Sequence, residues 1–219
     1  MVIRPGGGEV IGDSPERRVE ILSDHPSLHA TWSRFAPGRE GADLHVHRRH
    51  TDLFYVLEGE LTVRLGAQGD VVVVPAGQVA RVPPLVVHGF RNGSDAEMRY
   101  LNFHAPGVGF ADYMRGLRDG RTLTYDQEPP PASGTRPPSD AAISPPPVEV
   151  DAIAIAEVDE VALGSSPDLA SYYVLEGEAV FTVDGESLDA PAGAWVQVPP
   201  GVAHGVAGAR LLSVRAPAS

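Results

Sequence analysis

Three histidines fall within six residues of this chain, at His45, His47 and His50, and a carboxylate follows at Asp52. Side chains alternate along a β-strand, so His45 and His47 project from one face if this stretch is extended. Two imidazoles on one face with a nearby carboxylate suit a divalent metal ion. His88 can add a third imidazole if its strand lies beside the first. The pattern therefore indicates a metal site, with His50 as a substitute ligand or an outer partner.

The elements that must position these side chains are indicated by an internal repeat. The run FYVLEGE at 54–60 returns as YYVLEGE at 172–178, and His88 corresponds to His204 further along. Each copy contains short valine-rich runs bounded by Gly, Pro or Asp, which are typical of β-strands. Short strands separated by regular turn signals predict a sandwich or barrel in each half. We therefore expect an all-β chain in which the same barrel fold occurs twice, once in each half.

Prolines mark the boundary between the two copies. Residues 126–147 hold eight prolines in 22 positions. Because proline removes a backbone donor and fixes φ, this segment is expected to run extended, without a ladder or a helix. We predict a first domain at 1–125, a Pro-rich linker at 126–147 and a second domain at 148–219. Apolar residues at helical spacing predict one short helix that closes the first domain: Phe110, Met114 and Leu117.

The residues around the histidines resemble the cupin superfamily. One group follows an order and spacing similar to the first cupin motif: Gly41, His45, His47, Asp52 and Gly59. A second group is similar to the second motif: Gly77, Pro83, His88 and Asn92. Since both halves match, the chain resembles a bicupin with a quercetinase-like first barrel. This resemblance implies two small antiparallel β-barrels of the double-stranded β-helix, or jelly-roll, type. It also implies one metal ion, held by His45, His47, the acid position and His88.

The chain departs from the family pattern at the acid position and in the second copy. Asp52 stands where family members usually have Glu, so it is either a ligand, a catalytic base or an outer acceptor for an imidazole. The second copy has Leu163, Ser165 and Ala170 where the first has ligand candidates. Its barrel is expected to be structural, with His204 in a core or pocket wall. Three other histidines are isolated in the sequence and are given no role: His25, His29 and His104.

Two main functions remain open for such a site. The first is a metal-dependent oxidoreductase, in which Zn, Fe, Ni, Mn or Cu chelates an enol or phenol oxygen of a small organic substrate for reaction with dioxygen. In this enzyme Asp52 would be a ligand or the base that removes the hydroxyl proton. The second is a non-catalytic module that binds a small molecule or a metal. A metal-free isomerase or epimerase ranks lowest.

Composition restricts the partners. The chain has 17 basic and 29 acidic residues and a net charge of -12, which disfavours nucleic acid and anionic membranes. The absence of Cys excludes disulfides, thiolate metal sites and a Cys nucleophile. All basic residues are Arg, which is typical of a GC-rich bacterium. The N-terminus lacks an apolar region and no apolar run approaches the roughly 20 residues of a membrane span, so we expect a cytoplasmic protein. A small-molecule substrate is the expected partner, and a homodimer is left open.

Overall fold

Antiparallel β-sheet makes up most of the chain in the computed structural model, which describes residues 1–150 and 153–218. The all-β prediction is confirmed. The chain forms two units. The N-terminal unit is Val10–Pro145, and the C-terminal unit combines Met1–Glu9 with Pro146–Ser219. The sequence did not predict that the first residues would join the C-terminal unit.

The strands follow one another along the chain with short connections. The first stretch contains β1 (Val2–Ile3), β2 (Glu9–Asp13), β3 (Arg17–His25), β4 (Leu28–Phe35), β5 (Thr51–Glu58), β6 (Glu60–Leu65), β7 (Asp70–Pro75), β8 (Val79–Val82), β9 (His88–Arg91), β10 (Met98–Ala105) and β11 (Ala142–Ser144). The later stretch contains β12 (Val148–Val150), β13 (Ile153–Val158), β14 (Val161–Gly164), β15 (Leu169–Val183), β16 (Glu186–Pro191), β17 (Trp195–Val198) and β18 (His204–Ala216).

Two sheets build the N-terminal unit. One has the strand order β11-β8-β5-β10-β4-β3-β2, and the smaller one has the order β7-β6-β9. Strand β5 lies between β8 and β10, and its residues from Thr51 to Val56 are all buried. Its neighbours therefore cover Asp52 on both sides, with Val82 and His104 as the residues directly opposite. Phe54 of this strand belongs to a core of buried apolar side chains that also contains Leu61, Val74 and Met98.

A sharp turn separates β5 from β6. Gly59 occupies it with φ of 72°, in the left-handed region that favours glycine. A Cβ at Gly59 would lie 2.6 Å from the carbonyl oxygen of Glu97, so the close approach also requires glycine. The matching Gly177 has φ of 86°, although there β15 continues through the bend as one strand. The repeated EGE sequence thus marks a bend in both units.

One sheet builds the C-terminal unit, in the order β1-β17-β15-β18-β13-β12, with β14 beside β18 and β16 beside β15. Strand β1 enters through the pairing of Val2 with Val196. This pairing explains why the first residues belong to the C-terminal unit. A separate apolar core fills the C-terminal unit, with Tyr172, Phe181 and Leu211 among its buried members.

The proline-rich segment differs from the sequence prediction. We expected residues 126–147 to form neither a ladder nor a helix, but β11 pairs with β8, and Pro138–Asp140 forms a short 3-10 helix. The pairing is possible because β11, with the sequence AIS, contains no proline and keeps its backbone donors. The predicted helix is present as α1 (Phe110–Arg118). In the described part of the chain, no helix has the length and apolarity needed to cross a membrane.

Candidate metal centre

His45 and His88 lie side by side, as the metal-site prediction requires. The backbone N–H of each donates to the carbonyl oxygen of the other, at 2.8 and 2.9 Å. His45 and His47 belong to an extended stretch just before β5, and His88 begins β9. Strand β5 brings Asp52 next to these three histidines. The fold therefore gathers residues that lie more than 30 positions apart.

The side chains of these four residues converge. The Nε2 atoms of His45 and His47 are 3.1 Å apart, and Asp52 Oδ2 lies 3.3 Å from His88 Nε2 and 3.7 Å from His47 Nε2. One ligand atom from each residue lies within 4.8 Å of all the others. Ligands that each stand about 2.1 Å from one ion are roughly 3.0 to 3.5 Å from their neighbours. The spacing thus fits a single metal ion, and all four side chains are buried.

Hydrogen bonds of the Nδ1 atoms orient the three imidazole rings of His45, His47 and His88. The Nδ1 atoms of His45 and His88 donate to the carbonyl oxygens of Asp43 at 2.7 Å and Val86 at 3.0 Å, and Nδ1 of His47 donates to that of Asp126. A carbonyl oxygen only accepts, so each Nδ1 carries a hydrogen, and in the neutral ring each Nε2 then presents a lone pair. Lone pairs that face one another at 3.1 Å are stable when a cation lies between them. The donor set therefore fits a divalent metal ion.

Protonation states agree with this donor set. Burial lowers the pKa of His45 to about 3, and the neighbouring His88 and His47 add to the effect. Burial acts to raise the pKa of Asp52, but the charge and hydrogen bond of His104 hold it well below its usual value. At neutral pH the site consequently offers neutral imidazole from His45 and an ionised carboxylate from Asp52, the forms in which these groups bind metal.

Sequence reasoning missed His104. It was given no role because it stands alone in the sequence, but it lies directly opposite Asp52 in the β5–β10 ladder, with Nε2 at 3.3 Å from Asp52 Oδ1. The same oxygen accepts a hydrogen bond from Asn102 Nδ2, two residues earlier on β10. His104 is isolated in the sequence but not in the structure, because strand pairing, and not sequence distance, decides its neighbours. The alternation of Asn102 and His104 on one strand face was the available signal.

His50 is a buried outer partner of this cluster. Its Nδ1 lies 3.0 Å from Asp126 Oδ2, and its Nε2 lies 3.1 Å from the hydroxyl of Tyr125, which in turn is 2.7 Å from Nδ1 of His104. His47, His50 and His104 form a second group whose nitrogens lie close enough to hold an ion. The hydrogen bonds of His50 and His104 already occupy these nitrogens, so the first group is the better candidate for a metal site.

The carboxylate of Asp126 anchors the stretch that carries two of the histidines. It accepts hydrogen bonds from the backbone N–H groups of Arg48 and Arg49 and contacts His50. Burial acts to raise the pKa of Asp126, but these hydrogen bonds lower it below its usual value. Asp126 therefore remains an ionised acceptor. Sequence reasoning assigned this residue only to the linker.

A cavity of about 310 Å³ lies against the cluster. The predicted ligands His45, His47 and Asp52 line it, together with His104. Apolar side chains form much of the remaining wall: Val19, Phe35, Phe90, Phe110 and Met114. The ligand cluster, formed by His45, His47, Asp52 and His88, thus borders a space that can hold a small molecule.

The C-terminal unit has a different arrangement at the matching place. His204 Nδ1 donates to the carbonyl oxygen of Val202, as in the first copy, but its Nε2 lies 2.8 Å from the hydroxyl of Tyr172. Leu163, counted at a ligand position, is an exposed residue of β14. Within residues 153–218 and the other described parts, both candidate metal groups belong to the N-terminal unit.

Comparison with known protein families decides the classification. The family model described as "Cupin domain" matches residues 31–104 and 165–214, which together make up more than half of the chain. The chain belongs to the cupin domain family. Both matched regions contain the repeated sequence element, so the resemblance to a bicupin holds for both units of this cupin.

Solved structures share this fold at low sequence identity. Protein Ylba from E. coli has a TM-score of 0.71 at 12% identity, over 98% of this chain and 89% of that chain. A mutant oxalate decarboxylase from Bacillus subtilis has a TM-score of 0.64 at 14% identity, over 99% of this cupin and 77% of that chain. Mn(II) centres are described for the Bacillus enzyme. No curated protein sequence matches this chain significantly.

Proposed function

We propose that the N-terminal unit is a metal-dependent enzyme that carries out dioxygenase-like oxidation of a small organic molecule. The observation that carries the proposal is the position of the ligand cluster against the cavity, since His45, His47 and Asp52 line it. Metal sites that serve only structure are closed by protein ligands, whereas catalytic sites keep a position for substrate. A bordering cavity is therefore what an enzyme needs.

Each residue has a definite task in this proposal. The three histidines would hold one divalent ion through Nε2, because their Nδ1 atoms are fixed to carbonyl oxygens. When bound, that ion would polarise an enol or phenol oxygen of the substrate for reaction with dioxygen. We assign Asp52 the ligand role, since its Oδ2 lies between His47 and His88 and its Oδ1 accepts from Asn102.

The cavity wall contributes by excluding water. Phe35, Phe90, Phe110 and Met114 place apolar surface around the space next to the ligands. This apolar part of the wall would strengthen electrostatic interactions at the site and limit the access of bulk water to the reacting substrate. Helix α1 supplies Phe110 and Met114, so it forms one side of the substrate space.

The donor set leaves the metal open among Zn, Fe, Ni, Mn and Cu. Because Mn(II) centres are described for a structurally similar oxalate decarboxylase, Mn²⁺ is the first ion to test. From that enzyme we carry over only metal-dependent chemistry on a small organic molecule, and neither its substrate nor its reaction.

The experiment is oxygen uptake by the protein reconstituted in turn with each metal ion. Catechol, a flavonol and a β-diketone serve as substrates that present an enol or phenol oxygen. We expect uptake that depends on one of these compounds and on the metal, and that is lost in His47→Ala. Metal-loaded protein that binds these compounds without any oxygen uptake would contradict the enzyme and support a non-catalytic binding module. The replacement of the usual Glu by Asp52 is the feature that favours this second function.

A further inference from the structure

Arg17 brings a positive charge to the cavity wall. It begins β3, and both it and Val19 line the cavity. It is the only Lys or Arg among the described residues that do so. In the described part of the chain its guanidinium forms no ion pair or hydrogen bond. An arginine in this position has donors that remain available to a ligand.

The neighbouring Arg18 shows that acidic partners were available nearby. Its guanidinium binds Asp13 at 2.6 Å and Glu20 at 2.7 Å. Side chains alternate along a strand, so Arg18 projects to the face opposite Arg17. Two carboxylates also line the cavity, but Asp43 lies near Arg64 and Asp52 faces the histidines. Among the described residues, neither of them forms an ion pair with Arg17.

The shape and charge of the cavity favour a particular class of ligand. Its volume of about 310 Å³ lies at the lower end of the range for small-molecule sites. The fork of an arginine side chain matches a carboxylate through two parallel hydrogen bonds. One guanidinium suits a singly charged carboxylate better than a phosphate, which carries more charge and more acceptor atoms. Phe35 and Phe90 provide apolar surface for the body of the molecule.

We propose that the cavity takes a small organic carboxylate, which Arg17 binds through its carboxylate group while an oxygen at its other end reaches the ligand cluster. The second contact rests on the proposed function. The contact with Arg17 is independent of the metal, so the two ideas can fail separately.

The test is isothermal titration of the Mn²⁺-loaded protein with benzoate, salicylate and mandelate, each compared with its neutral amide. We expect at least one acid to bind about tenfold or more tightly than its amide, because a charge-assisted hydrogen bond would be gained. Arg17→Gln should remove that preference, and Arg17→Lys should retain part of it. Arg18→Gln is the matched control on the opposite strand face and should bind as the unaltered protein does.

Three results would overturn the carboxylate proposal. They are equal binding of every acid and its amide, an unchanged preference in folded Arg17→Gln, and tighter binding of phenyl phosphate than of any acid. Repeating the titrations after chelator treatment separates this proposal from the enzymatic one. An Arg17-dependent preference for acids in protein that takes up no metal supports the carboxylate site and contradicts the metal enzyme. Metal-dependent oxygen uptake without any preference for acids would support the metal enzyme and contradict the carboxylate site.

Discussion

His104 contacts a different oxygen of Asp52 from the one that faces the proposed ligand histidines: its Nε2 is 3.3 Å from Oδ1, whereas Oδ2 faces His47 and His88. The two residues are direct partners in the β5–β10 ladder. His104 thus fixes the orientation of a carboxylate that is proposed to bind metal. Such outer partners commonly change metal affinity by about 10- to 100-fold.

Replacing His104 tests this positioning role. In His104→Phe the ring can keep its packing against Phe110, at a centroid distance of 4.0 Å, but the contact with Asp52 is lost. We expect metal affinity to fall by about tenfold, with the metal still bound in a one-to-one complex. Titration with Mn²⁺ or Zn²⁺ measures this change. Affinity equal to that of the unaltered protein would show that Asp52 is held by Asn102 alone.

Loss of His47 should be more severe, since its Nε2 belongs to the ligand cluster. We expect His47→Ala to weaken metal binding by more than the roughly 10- to 100-fold typical of an outer partner. His25→Ala is the control, because His25 lies at the end of β3 and accepts only a local hydrogen bond from the N–H of Ser27. Equal metal contents of the two variants, measured by elemental analysis, would remove His47 from the ligand set.

Asp126 should influence the metal although its side chain is not a ligand. Its carboxylate holds the N–H groups of Arg48 and Arg49, so Asp126→Asn loosens the stretch that carries His47 and His50. We expect metal affinity to fall by about tenfold in this variant. Glu128→Gln is the matched control, because Glu128 forms only an exposed ion pair with Arg48 at 2.7 Å. If the two variants bind metal equally, the anchoring role of Asp126 is refuted.

His29 should make stability depend on pH. Burial lowers its pKa well below the usual value, and the charges of His104 and Arg115 add to this. Neither ring nitrogen has a hydrogen-bond partner among the residues that the structure describes. Below a pH of about 6.5 the unfolded chain takes up a proton at His29 that the native chain does not. The free energy of unfolding therefore decreases as the pH is lowered. Replacing His29 with Leu should reduce this slope by up to about 1.4 kcal/mol per pH unit. Urea denaturation of metal-free protein between pH 5 and 7 measures the slope, and identical slopes would contradict the prediction.

The sequence was sufficient for the parts of the site that depend on local pattern. Alternation placed His45 and His47 together, the repeat indicated two all-β units, and helical spacing located α1. The sequence was insufficient where a residue's neighbours depend on the pairing of strands or on contacts with a distant segment of the chain. His104 reaches Asp52 through the β5–β10 pairing, and Asp126 returns to the site from a segment whose prolines suggested a mere linker.

Elemental analysis of protein purified without chelator shows whether the N-terminal unit holds a metal ion. We expect about one divalent transition-metal ion per chain, removed by chelator, restored on addition of the metal and lost in His47→Ala. Protein that is free of metal and takes up none of Fe, Ni, Cu, Mn or Zn would contradict this expectation.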